Sequence, residues 1–136
     1  MSTFAFEKLP AWKKSMQLVR AVYKVSALLP ATEKSGLVAI WRKTVTSIPA
    51  RIASGHGRPD ADAFAKAVCD AMALLRELQT HVAVAEKLHY LSRFRTTGLR
   101  RRIGRLHDLL DHLSASLEAP KDTVGRIPKQ SRRVAA

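Results

Sequence analysis

Along most of this chain apolar residues recur at intervals of three and four, the period that gathers them on one face of an α-helix. The first such segment follows Pro10, which suits an opening helical turn because its missing N–H would have no partner there. Leu18, Val22, Val25 and Leu29 form one stripe, and Trp12, Met16, Val19 and Tyr23 form a second beside it, before Pro30 ends the pattern. Two adjacent stripes predict a wide buried face, able to meet both its own bundle and a neighbouring subunit. A second helix is expected from Thr32 or Ser35, either of which can cap it, with Leu37, Ile40, Trp41, Val45, Ile48 and Ile52 inward. Pro49 falls inside that pattern and predicts a lost backbone bond and a kink. Gly55-His56-Gly57-Arg58-Pro59 predicts the stop, its glycines supplying the positive φ of a helix-ending turn.

Asp60 is a good cap for a third helix, and Asp62 complements the positive end of that helix. Phe64, Val68, Met72, Leu75, Leu78, Val82 and Ala85 mark its core side, and Ala73, Leu74, Ala83 and Val84 widen the apolar surface beyond one stripe. The fourth helix has the cleanest period, Leu99, Ile103, Leu106, Leu110, Leu113 and Leu117, a coiled-coil-like seam closed by Pro120. It starts either at Ser92, with Gly98 inside, or after Thr97. Four helices with short connections predict an all-α, antiparallel up-down-up-down four-helix bundle over residues 1–119. Residues 120–136 mix Pro, Gly, Ser and basic residues without apolar period and read as a flexible basic tail. A break in the second helix would leave a three-helix arrangement as the alternative.

Composition narrows this picture. A chain of 136 residues fits one domain, and a domain of that size buries roughly 68% of its unfolded surface without needing staples. The single cysteine, Cys69, has no internal disulfide partner and sits among Ala67, Val68, Ala71 and Met72, as a small buried hydrophobe would. The opening residues lack the apolar core of a signal peptide, and no run approaches the roughly 20 apolar residues of a membrane span. The expectation is a soluble cytoplasmic protein.

Charge then supplies the main functional signal. Lys and Arg number 24 against 11 Asp and Glu, a net charge of +13. Such a charge concentrates polyanions, of which nucleic acid is the commonest in a cytoplasm. Positive charge is densest in the run Arg93, Arg95, Arg100, Arg101, Arg102 and Arg105, with no carboxylate from Arg93 to Arg105. With the Leu seam inward, Arg101 and Arg105 fall on the outer face, Arg93 and Arg100 flank it, and Arg95 and Arg102 lie nearer the core edge. Guanidinium groups bind phosphate through paired N–H donors, so Arg93, Arg100, Arg101 and Arg105 are candidate contacts to RNA or DNA backbone. Asp108 can neutralise part of the strip. Lys129, Arg132 and Arg133, with Lys121 and Arg126, extend the basic surface into the tail. A solvated helix end and a solubilising tail are the plain alternatives.

Other chemistry finds little footing. Gly55-His56-Gly57-Arg58 lacks the spacing of a phosphate loop, and no strand precedes it. Asp108, Asp111 and His112, with His107 nearby, read as solvated surface, since a tetrahedral metal needs three or four convergent ligands. The serines have no nucleophile-elbow context, and an apolar helix disfavours a reactive Cys69 thiolate. Trp12, Trp41, Tyr23 and Tyr90 sit in registers that suit core or subunit contacts rather than base stacking, which needs exposed rings. No enzyme, cofactor or metal is expected.

Two stretches carry a resemblance. Phe6-Glu7-Lys8-Leu9, Trp12-Lys13 and Tyr23 form one, and Ser47-Ile48-Pro49-Ala50-Arg51-Ile52-Ala53-Ser54-Gly55 the other. The second is similar to the Ser-Ile-Pro-Ala-Asn-Ile-Ala-Glu-Gly signature of the 23S ribosomal-RNA intervening-sequence proteins. Glu77-Leu78, Leu88 and Tyr90-Leu91 fit that family's third-helix pattern, so the likeness spans residues 4–117. Arg51 and Ser54 depart from its usual Asn and Glu and make the site more basic. The resemblance implies a four-helix bundle assembled into a ring, commonly a homopentamer. It also implies kinship with basic accessory proteins of diversity-generating retroelements, which associate with a reverse transcriptase and nucleic acid. The functional expectation is a non-catalytic oligomeric adaptor that binds RNA or DNA backbone. The alternative is a protein-interaction scaffold without direct nucleic-acid contact.

Overall fold

A computed structural model of the chain describes residues 5–118. Within them the fold is all α: α1 (Pro10–Ser26), α2 (Leu37–His56), α3 (Ala61–Lys87) and α4 (Arg93–Glu118), with 3-10 turns at Ala5–Lys8 and Ala31–Glu33. Each helix packs on the next, and α4 also packs on α1, so the four close around one core. Leu18, Val22, Trp41, Ile48, Leu75, Leu78, Leu106 and Leu110 are fully buried there. Each contributes about 1.5–3 kcal/mol through removal of apolar surface from water. The stretch 120–136, including Pro120, lies outside the described residues.

Several helix ends follow from local chemistry. Asp60 caps α3 as expected, its Oδ1 accepting the Asp62 N–H at 3.0 Å. The fourth helix takes the earlier of its two starts, with the Ser92 Oγ accepting the Arg95 N–H at 3.3 Å. For α2 the expected caps are not used. Gly36 is its N-cap, and Glu33 supplies the missing acceptor by taking the Leu37 N–H on Oε1 at 3.0 Å. The same carboxylate accepts the Tyr90 hydroxyl on Oε2 at 3.0 Å, tying the start of α2 to the turn before α4. That hydrogen bond to Glu33 raises the Tyr90 pKa above its ordinary value. At the end of α1, Arg42 donates to Ser26 Oγ at 3.0 Å and lies over the Tyr23 ring at 4.5 Å, helping to finish the helix before Pro30.

The proline and glycines of α2 behave differently from expectation. The helix runs continuously through Pro49, which is buried, so the three-helix alternative is excluded. Gly57 has φ −76°, and Gly55 lies within the helix, so neither supplies a positive φ. Gly55 instead permits close approach: a Cβ there would lie 2.2 Å from the Ala67 Cβ on α3. The left-handed residue of the fold is His89, φ 62°, in the turn between α3 and α4. Cys69 is exposed rather than buried, because α3 turns it away from the stripe of Val68, Ala71 and Leu75. Ile40 is likewise largely exposed, and in the second stripe of α1 Met16 and Tyr23 stay open to solvent.

Candidate nucleic-acid interface

α4 turns its Leu seam inward, with Leu99, Ile103, Leu106 and Leu110 buried. At 3.6 residues per turn, the opposite line of the helix is Phe94, Gly98, Arg101 and Arg105, and all four are exposed. Arg93, Arg95 and Arg102 are exposed as well. The expected core-edge position of Arg95 and Arg102 therefore does not bury them. Six of the seven charged or aromatic groups from Arg93 to Arg105 thus face solvent: Arg93, Phe94, Arg95, Arg101, Arg102 and Arg105.

Arg100 is the exception. It points toward α3, where its Nε donates to Glu86 Oε2 at 2.9 Å and its Nη2 donates to Glu86 Oε1. Side-chain exposure is 25% for Arg100 and 11% for Glu86, so the pair is well shielded from water. The buried Thr96 hydroxyl donates to the same carboxylate. Hydrogen bonding to Arg100 holds the Glu86 carboxyl below the usual carboxylate range, against the opposing pull of burial, and Thr96 reinforces it. The same contact raises the Arg100 pKa. Sequence placed Arg100 among the phosphate contacts. Its guanidinium fork is instead occupied by a carboxylate seven residues before the arginine run begins.

On the opposite flank, the structure adds cations that the linear run did not reveal. Arg102 shares an open groove with Gln17, Arg20 and Lys24 of α1. Arg20 and Lys24 stand four residues apart, one helical turn, a spacing that could have been read from the sequence. The groove between α3 and α4 is mixed in charge, with Arg76 and His107 beside Asp108. The open positive surface therefore runs from the outer face of α4 toward α1. Lys129, Arg132 and Arg133, with Lys121 and Arg126, lie outside the described residues.

Among the described residues no group of three or more His, Cys, Asp or Glu is placed to hold a metal ion. No helix among them is long and apolar enough to cross a membrane. Cys69 is 3.9 Å from the Ser114 Oγ.

A model of the 23S rRNA-intervening sequence protein family matches residues 7–112. The chain belongs to this family. None of the curated proteins matches it. In this member of the 23S rRNA-intervening sequence proteins, the signature-like stretch 47–55 is structural on one face: Ile48, Pro49, Ile52 and Gly55 are buried, with Gly55 against Ala67 of α3. The two departures lie on the other face. Arg51 pairs with Asp70 at 3.6 Å, both partners well exposed, and the Ser54 hydroxyl donates to the Arg51 carbonyl at 3.3 Å. A solvent-exposed pair of this kind contributes about 0–1 kcal/mol. The substitutions leave the packing half of the motif intact.

Proposed function

We propose that this member of the family is a non-catalytic adaptor that binds the backbone of RNA or DNA through the outer face of α4. One observation carries the reading: Arg101 and Arg105 stand exposed in one line, flanked by Arg93, Arg95 and Arg102, while the Glu86 carboxylate of α3 is occupied by Arg100. Arginine forks in that state are available for bidentate contacts to phosphate. Arg20 and Lys24 on α1 extend the surface, and the basic residues of 121–136 add to it in sequence. The RNA in the family's name supports RNA as the first ligand to test. Contacts of this kind position a strand and read little sequence.

In this reading the helices alternate up and down, and protomers assemble into a ring, a homopentamer. The open apolar groove of Trp12, Met16, Val19, Pro49 and Ala53 supports a subunit contact. A ring would also add up weak phosphate contacts through multivalency. The protein acts in the cytoplasm, and a protein partner that itself carries nucleic acid, such as a reverse transcriptase, fits the same surface. Size exclusion with light scattering is expected to give a multiple of the 15.1 kDa chain mass; a clean monomer overturns the ring.

The binding itself is tested by fluorescence anisotropy with short RNA and DNA across a salt series. A protein making about six to ten phosphate contacts loses roughly 10³–10⁵ in affinity between 50 and 200 mM salt. Arg101→Gln/Arg105→Gln is expected to weaken binding to all sequences alike and to flatten the log–log salt slope by about 1.4–1.8. Unchanged affinity in that variant would return the strip to ordinary solvent-facing surface. Absence of binding at low salt would favour the protein scaffold.

A further inference from the structure

Phe94 is the most exposed large hydrophobic residue described, at 88%. It lies in the first turn of α4, outside the buried clusters, with exposed Arg93 and Arg95 on either side. Along the same line of the helix come Gly98, then Arg101 and Arg105, at about 6, 10 and 16 Å by helical rise. Gly98 has nothing within 4 Å of where a Cβ would stand. A helix-interior glycine is a poor helix former compared with alanine, and here it makes room for no neighbour inside the subunit. The result is an aromatic ring, a gap without a side chain, and two guanidinium groups in a row.

We propose that Phe94 is a stacking platform for an unpaired base, with Arg101 and Arg105 on the adjoining phosphates, so that this face prefers single-stranded to duplex nucleic acid. The inference rests on the backbone-binding reading above and specifies its ligand. An aromatic face offers a base a sequence-tolerant partner, and cations along the groove track the backbone. In a duplex the base faces are already stacked and out of the ring's reach. The charge around the ring argues against a second copy of the chain as its occupant. From Lys87 to His107 there is no carboxylate, and the chain carries +13. The same face of an approaching copy would bring like charge, whereas a single strand brings both phosphates and exposed aromatic faces.

The test compares full-length wild type, Phe94→Ala and Phe94→Trp in anisotropy titrations against a labelled unstructured oligouridylate and an RNA duplex of equal phosphate number. Loss of one base stack is worth about 5- to 150-fold in affinity. Phe94→Ala is expected to weaken oligouridylate binding within that range, leave the duplex within about twofold, and keep the salt slope, since no charge is removed. Phe94→Trp is expected to retain or tighten the single-strand affinity. Equal weakening on both ligands, or none on either, overturns the proposal. So does a Phe94→Ala protein whose mass by light scattering falls while its oligouridylate affinity is unchanged, which would make the ring a contact between copies. Arg101→Gln/Arg105→Gln separates the two readings. If it changes nothing while Phe94→Ala weakens single-strand binding, stacking stands and the backbone strip fails; if it weakens both ligands while Phe94→Ala does not, the reverse holds. Because Phe94 is almost wholly exposed, its variants are expected to keep the wild-type circular dichroism and melting temperature.

Discussion

The packed side of the bundle around α3 and the outer face of α4 each hold an arginine and a helical glycine, and the two sets have opposite consequences. On the packed side Arg100 meets Glu86 in a shielded pair, and Gly55 lets α2 approach Ala67 of α3 closely. On the outer face Arg101 and Gly98 meet solvent. A shielded ion pair holds two helices in register, and its removal strands a charge. An exposed guanidinium adds almost nothing to stability and keeps its donors for a ligand. A glycine at a helix contact is required by geometry, whereas one in open space is a small cost to the helix. Residue type alone therefore says little; what each residue faces assigns it to the fold or to the surface.

The contrast can be broken by substitution, and the largest effect is expected at Glu86. Glu86→Ala leaves Arg100 and Thr96 without their acceptor and is expected to cost about 2–4 kcal/mol in urea denaturation. Because the folded-state pKa of Glu86 is depressed, its contribution is fully present above the unfolded value near 4.5 and is lost as pH falls through and below it. The melting-temperature gap between wild type and Glu86→Gln should therefore be widest near neutral pH and shrink in acid. A gap independent of pH would show that Arg100 does not depend on the ionised carboxylate.

Gly55→Ala comes next. Overpacking the α2–α3 contact is expected to cost about 1–3 kcal/mol, and a neutral result would mean that the helices separate easily there. Gly98→Ala should act with the opposite sign and raise stability by up to about 1 kcal/mol. Smallest of all, Arg101→Gln/Arg105→Gln should leave stability within about 0.5 kcal/mol, whatever it does to the proposed nucleic-acid binding. Destabilisation by that variant beyond this range would merge the two faces into one structural unit.

Much of the fold was legible along the chain. The Leu seam of α4 and the stripe of α3 appear in the structure largely as the period of three and four places them, since helical geometry carries sequence spacing directly into a face. Asp60 was readable because its cap is made to a neighbour two residues on. The start of α2 was not, because its acceptor is Glu33, four residues before the first helical residue, which also holds Tyr90 from a distant turn. Cys69 looked buried by its neighbours' composition, yet its helical angle turns it outward. Phe94 was legible in principle: it lies five residues before Leu99, off the seam, and therefore opposite the core.

The sequence by itself determined the all-helical class, the central buried stripe of each helix, the excess of positive charge and the family. These depend on local periodicity, residue type and motif, which are properties of the chain alone. Only the tertiary structure decided that Arg100 belongs to Glu86, that Gly55 serves a helix contact, and that Arg20 and Lys24 join Arg102. Each of those depends on which helix lies beside which, and therefore on contacts between residues far apart in the chain.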